Sequence, residues 1–227
     1  MVTKNQFQSL LGSLLYICKC VKPARFFLNR MLPLLRDNFD NKQIRLNDSF
    51  FKDLNWFNTF LDTHNGVTFY SLKSPQIQIH LDACLTGLGG CYRNMVYYLP
   101  VDTSQQDFHI TQLEMANVVV ALKIFAEIWQ NQRISLYCDN MAVVEVLKKG
   151  KTRDSYLATC ARNIWLISSL FNIQLDIIHI PGKYNQVADL MSRWDQTLNP
   201  IDKLSKLVPN WKYIQTHQDL LLLNFSI

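Results

Sequence analysis

Two segments of this chain alternate apolar and polar residues strictly, and each ends on a carboxylate. In "IQIHLD", residues 77 to 82, Ile77, Ile79 and Leu81 share one face of an extended strand, with Gln78, His80 and Asp82 on the other. In "RISLYCD", residues 133 to 139, Ile134, Leu136 and Cys138 share one face, with Ser135, Tyr137 and Asp139 on the other. Strands interleaved with helices between 107 and 193 imply crossover connections and parallel pairing. If these two strands are parallel neighbours, Asp82 and Asp139 meet at their C-terminal ends, the edge where open α/β sheets hold ligands.

The remaining pattern sets the layers around that sheet. Phe7, Leu10, Leu11, Leu14, Leu15 and Cys18 recur at helical spacing, and Phe26, Phe27, Met31, Leu34 and Leu35 continue it after Pro23. Asn47-Asp48 can cap a third helix with Phe51, Leu54, Phe57 and Leu61 on its apolar face. Residues 1–70 are therefore expected as a small all-α region. From Val67 the period changes to two, with a short strand at 67–72, the strand ending at Asp82, and the strands "GGCYRN" and "VYYLPV" meeting at Asn94-Met95. A long helix follows, with Thr111 and Glu114 at capping-box spacing; then come a short helix stopped at Gly150, a helix from Ser155, a strand near 173–180 and a last short helix around Asp189. An α/β domain over 71–195 is expected, and residues 196–227, carrying Pro200 and Pro209, as a linker or truncated extension.

At 227 residues, nearly half of them apolar, the chain can bury a sizeable core. Its 23 Lys and Arg against 18 Asp and Glu give a net charge of +5, a mild excess compatible with a polyanionic partner. Cys18, Cys20, Cys84, Cys91, Cys138 and Cys160 lack zinc-site spacing and read as reduced, mostly buried thiols. Trp56, Trp129, Trp165 and Trp194 read as core on apolar helix faces. No secretory signal opens the chain and no uncharged apolar run reaches the ~20 residues of a membrane span. An intracellular protein without membrane partners is expected, cytoplasm and nucleus being indistinguishable.

Two unpaired acids at one sheet edge repel each other and resist ionisation, which a divalent cation relieves. Oxygen-only donors suit Mg²⁺ or Mn²⁺. Glu114, in the first turn of the long helix, and Asp189, in the last short helix, are the candidates to complete the set. Four carboxylates holding two cations suit hydrolysis of a phosphodiester. Three of these acids also have an ordinary structural reading: Asp82 in an Asx turn, Asp139 as cap of "NMAVVEVL", Glu114 in its capping box; Asp189, with apolar neighbours on both sides, has none as ready. Periodicity leaves both readings open.

The order of these elements resembles the ribonuclease H domain of retroelement reverse transcriptases. The matching stretches are "LDACLTGLGG", "TQLEMANVVVAL", "LYCDNMAVVEVL" and "HIPGKYNQVADLMSRW". The last is the most specific, because a His or Tyr followed by Pro-Gly-Lys, Asn, Ala-Asp and Ser-Arg is typical of retrotransposon members. Upstream, "LLGSLLYICKCVKPARFFLNRMLPLL" and "FFKDLNWFNTFLDTHNGVTFY" resemble the thumb and connection helices that precede this domain, most like those of DIRS-type, tyrosine-recombinase-bearing elements. The resemblance spans about residues 5–195 and implies a mixed five-stranded sheet flanked by helices.

It also implies roles. Asp82, Glu114, Asp139 and Asp189 match the ligands of two Mg²⁺ ions, which Mn²⁺ replaces in such sites, and His179 matches the mobile residue that assists product release. The implied activity is endonucleolytic hydrolysis of the RNA strand of an RNA:DNA hybrid, held mainly through its backbone. For that hybrid the candidate contacts are the basic run Lys148, Lys149, Lys151 and Arg153, the residues Lys183, Asn185 and Arg193 around Asp189, the amides of Gln112 and Asn140, and Gly87, whose missing side chain admits a backbone. No Tyr-x-Asp-Asp turn is present, so no polymerase activity is expected, and the polymerase part of the same polyprotein is the expected protein partner. Only "KKGKTRD" separates the short helix from "SYLATCARN", so the separate basic helix of some relatives is missing. The alternative to the enzyme is a catalytically inactive nucleic-acid-binding or scaffold remnant of a retroelement polyprotein.

Overall fold

The computed structural model describes residues 1–21, 24–37, 42–63, 77–102 and 107–223, so the strand expected at 67–72 lies outside the described residues. The chain divides into two compact units, within residues 1–70 and 71–225.

The first unit is not purely helical. A short antiparallel pair, β1 (Val2–Thr3) and β2 (Gln43–Ile44), joins its start to the segment before its last helix. Between and after them run α1 (Lys4–Cys20), α2 (Ala24–Leu28), α3 (Met31–Asp37) and α4 (Asp48–Thr63). The single run of apolar residues after Pro23 splits into α2 and α3, which places Pro33 in the first turn of a helix, where its missing N–H and fixed φ are tolerated. Asn47 Oδ1 accepts the Phe50 N–H at 2.9 Å, the cap expected for α4. The core is aromatic: Trp56 stacks between Phe27 and Phe60, with ring centroids 3.9 and 5.0 Å away. The buried Asp53 carboxylate accepts from Arg30 Nε at 2.6 Å, so its charge is paired.

The second unit is mixed α/β, the fold class expected, built on one sheet in which the strands of residues 174–179, 133–138, 77–84, 87–92, 95–100 and 212–213 lie side by side in that order. β3 (Ile77–Cys84), β4 (Gly87–Tyr92) and β5 (Met95–Pro100) form an antiparallel meander. The β4–β5 turn is tight because Arg93 takes a positive φ of 57°. α5 (Ile110–Phe125) leads to β6 (Arg133–Cys138), which pairs with β3 in parallel. α6 (Met141–Lys149), ended by Gly150 at φ 69°, and α7 (Ser155–Leu170) lead to β7 (Gln174–His179), parallel to β6. A 3-10 turn and α8 (Gln186–Ser192) follow. Alternation divides the faces: Leu81, Gly90 and Tyr97 turn toward α5, whereas Gly89, Cys91 and Tyr98 turn toward α8. Among the described residues no helix is long and apolar enough to cross a membrane.

The sheet has six strands rather than five, because residues 196–223 form a packed strap instead of a linker. α9 (Pro200–Leu207) lays Leu204, with Val208 after it, on Cys91, Val96, Tyr98, Leu190 and Met191. β8 (Lys212–Tyr213) then pairs in parallel with β5, and Tyr213 Oη and Thr216 Oγ1 donate to the Tyr98 carbonyl at 3.1 and 2.6 Å. The chain ends its described course against α5, where Lys123 Nζ donates to the Leu220 carbonyl at 2.9 Å. The strap covers what would otherwise be an open sheet edge with an apolar patch beside it.

Candidate active site

β3 and β6 run in register from Ile77↔Ile134 to His80↔Tyr137, and the rings of that last pair stack with centroids 4.8 Å apart. Two residues further along each chain stand Asp82 and Asp139, so the shared parity read from the sequence brings both to one strand-end edge. Glu114 reaches the same edge from the first turns of α5 and Asp189 from α8. All four carboxylates line one open cleft of about 610 Å³. Among the described residues lining it, Arg193 is the only Lys or Arg, and its Nε donates to Asp189 Oδ1 at 2.9 Å.

The capping readings of Glu114 and Asp139 are answered by which residue caps each helix. α5 begins at Ile110, with His109 as cap and Gln112 closing the capping box, so Glu114 has no capping task. α6 is capped by Asn140, whose Oδ1 accepts the Ala142 and Val143 N–H groups at 3.0 and 3.3 Å, which leaves Asp139 outside the cap. Glu114 instead is buried, accepting the Ala83 N–H at 3.2 Å, with the Cys138 thiol 3.7 Å from its other oxygen. One ligand atom each from Glu114, Cys138 and Asp139 lie within 4.8 Å of one another.

Burial and mutual repulsion resist ionisation of Asp82, Glu114 and Asp139. Asp82 is pushed up to about 6, by burial first, with Asp139 and Asp189 adding and the Ser192 hydrogen bond and Arg193 opposing. Glu114 is raised well above the ordinary range by burial and then by Asp82 and Asp139. Asp139 is raised as well, by burial and Asp189, against its own backbone N–H, His179 and Arg193. A cluster of hard oxygen donors whose negative charge is poorly compensated by the protein fits a divalent cation such as Mg²⁺ or Mn²⁺.

The other sequence-predicted residues divide. His179 Nε2 donates to the Asp139 carbonyl at 3.2 Å, beside the cleft. Asn140 lines the cleft, but Gln112 spends both ends of its amide inside the protein, accepting from His109 N and donating to Asp154 at 3.0 Å each. Lys148, Lys151 and Arg153 are exposed at the end of α6 and in the loop beyond, with Lys149 paired to Glu145 at 2.7 Å; none of them lines the cleft. Lys183 lies over the Tyr184 ring, 4.8 Å from its centroid, and is exposed. Asn185 is buried and is an anchor within the protein: its Nδ2 donates to the Leu81 carbonyl at 2.8 Å and its Oδ1 faces His80 Nδ1. Gly87 is buried too. A Cβ there would lie 2.5 Å from the Ser192 carbonyl oxygen, so internal packing, rather than a nucleic-acid backbone, occupies the space it leaves.

Several residues at the site carried no role in the sequence reading. Ser192 Oγ donates to Asp82 Oδ2 at 2.5 Å, and the serine was visible only as a letter of the Ser-Arg pair. Gly182 backs onto Asp139, since a Cβ would stand 3.0 Å from Oδ2. His109 lines the cleft and Cys138 borders it. No spacing rule marks Ser192, Gly182 or Cys138, because each meets a partner distant in sequence.

No curated protein sequence matches the chain. Solved structures similar to it include the following two. One is RNase H1 from the halophilic archaeon Halobacterium salinarum NRC-1, 18% identical, covering 53% of this chain and 98% of that one with a TM-score of 0.44. The other is the native protease-reverse transcriptase of prototype foamy virus, 18% identical, covering 78% of this chain and 24% of that one with a TM-score of 0.33. Residues 93–195 match the family described as reverse transcriptase-like, a span that holds Glu114, Asp139, His179 and Asp189 and leaves Asp82 upstream.

Proposed function

We propose that the chain is a divalent-cation-dependent endonuclease that hydrolyses the RNA strand of RNA:DNA hybrids, as the ribonuclease H part of a retrotransposon reverse transcriptase of the DIRS type. The observation that carries this reading is the meeting of Asp82, Glu114, Asp139 and Asp189 on one cleft, from two parallel strand ends and two helices. The reverse transcriptase-like match over residues 93–195 supports it.

The four carboxylates would hold two cations, Mg²⁺ with Mn²⁺ as substitute. Bound there, such ions supply an activated water and neutralise charge on the leaving oxygen. The protein's own share is to hold the acids in place. Ser192 orients Asp82, the Ala83 N–H and the Cys138 thiol orient Glu114, and Arg193 steadies Asp189. Lys148, Lys151, Arg153 and Lys183 would neutralise phosphates of the hybrid from outside the cleft, setting register without reading sequence. His179, tethered to the Asp139 carbonyl, would attend product release. The polymerase part of the parent polyprotein would supply further grip on the hybrid, and this chain is not expected to polymerise.

The test is cleavage of an end-labelled RNA:DNA duplex by the purified chain, with Mg²⁺ and with EDTA, beside the Asp139→Asn variant. Cleavage of the RNA strand that needs the cation and is lost in the variant is the expected result. Binding of the hybrid without cleavage would establish a binding module instead, and cleavage surviving in the variant would remove Asp139 from the site.

A further inference from the structure

Asn117 is a fully buried polar side chain in the interface between α5 and the sheet, with none of its surface exposed. Its Nδ2 donates to the carbonyl of Asp82 at 2.7 Å and to the carbonyl of Gly89 at 2.8 Å, one proton for each. Its Oδ1 accepts from the hydroxyl of Tyr97, itself fully buried, at 2.7 Å. Asp82 and Gly89 are register partners across β3 and β4, so this one amide spans the strand pair at the level of the candidate cation ligand. The two carbonyls, which only accept, require the NH₂ end of the amide, and the Tyr97 hydroxyl donates to the oxygen that remains.

The placement matters more than the count of bonds. Asn117 lies three residues after Glu114, so the two are neighbours on one helix surface. α5 thus carries a carboxylate of the cleft and, one turn on, a clamp for the main chain of a second carboxylate. From the opposite face, α8 carries Asp189 and, three residues on, Ser192, which holds the Asp82 side chain. Asp82 is therefore pinned at its carbonyl by one acid-bearing helix and at its carboxylate by the other. A buried amide costs several kcal/mol to desolvate when left unpaired, so a leucine would serve packing alone more cheaply.

We propose that Asn117 is a positioning residue that sets the distance between Asp82 and Glu114 for cation binding, with Tyr97 holding its amide oxygen. This rests on the reading of Asp82 and Glu114 as cation ligands. Loss of such supporting hydrogen bonds weakens metal sites by about 10- to 100-fold.

The test is Mn²⁺ affinity of the full chain, measured by electron paramagnetic resonance at a temperature well below the melting point of each variant. Asn117→Ala is expected to weaken Mn²⁺ by about tenfold or more and Tyr97→Phe by a smaller factor. Val120→Ala, in the same helix and equally buried, is expected to lower the melting temperature without changing affinity. An Asn117→Ala protein that melts cooperatively and binds Mn²⁺ as tightly as the wild type overturns the proposal. Should that variant fail to fold, Tyr97→Phe decides, and wild-type affinity there overturns it equally. A wild-type chain that binds Mn²⁺ but leaves the hybrid uncut removes the nuclease reading alone.

Discussion

Ser192 Oγ lies 2.5 Å from Asp82 Oδ2, a bond between residues 110 positions apart that ties the helix of Asp189 to the strand of Asp82. The hydroxyl has one proton, and the carboxylate takes it in preference to the Asp189 carbonyl 3.0 Å away. Ser192→Ala removes a contact that favours the ionised form, so the Asp82 carboxyl, already pushed up to about 6, moves higher still. Carboxyl-carbon NMR of the cation-free protein should show one titration midpoint displaced upward in the variant. An unmoved midpoint would mean the bond does not form in solution.

The cation-free protein should be more stable at pH 5 than at pH 8. Asp82, Glu114 and Asp139 all have folded-state values above those of the unfolded chain, so the folded state holds protons the unfolded state has lost. Stability then falls as pH rises from about 4 through the folded values, by on the order of 2–3 kcal/mol for Asp82 alone. Melting curves in EDTA should show a falling Tm over that range. Millimolar Mg²⁺ should restore it at pH 8 and do little at pH 5, and a flat or rising Tm in EDTA would contradict the burial of these acids.

Two glycine substitutions should act in opposite directions. At Gly89 a Cβ would stand 2.3 Å from the Ser192 nitrogen and 2.5 Å from the Met191 carbonyl carbon, backbone atoms that cannot swing aside. Gly89→Ala should therefore displace α8, costing about 3 kcal/mol or more and the cleft with it. Gly12, inside α1, has nothing within 4 Å of the same position, and Gly12→Ala should stabilise by up to about 1 kcal/mol. Urea denaturation of both variants measures the contrast.

The strap should be part of the folded unit. Leu204 is fully buried against Cys91, Val96, Tyr98, Leu190 and Met191, so Leu204→Ala should cost about 2–4 kcal/mol. A chain ending at residue 195 should expose that patch and the β5 edge, and aggregate or self-associate by light scattering. A truncated chain that stays monomeric with an unchanged Tm would show the strap to be dispensable.

Much of this was legible from residue patterns. Alternation in 77–82 puts Asp82, and alternation in 133–139 puts Asp139, on the polar face of its strand, and the interleaved helices imply parallel pairing; that these two strands are neighbours is decided by the sheet. Capping was less legible: Thr111 with Glu114 and His109 with Gln112 both have capping-box spacing, and only the true start of α5 chooses between them. Asn185 and Gly87 looked like ligand contacts because the sequence does not say whether a small or polar residue faces solvent or a neighbouring helix.

What the sequence determined by itself is therefore local: periods of 2 and 3.6, the faces they define, and the turns that separate them, since these depend on residues a few positions apart. The tertiary structure alone decided the rest. It chose Ser192 and Asn117 as partners for Asp82, turned residues 196–223 into an edge-covering strap with a two-residue strand, and gathered four acids whose repulsion only a folded chain can enforce. The physical reason is that burial and hydrogen-bond satisfaction are properties of the packed chain, and no periodicity encodes which distant group will meet a buried polar atom.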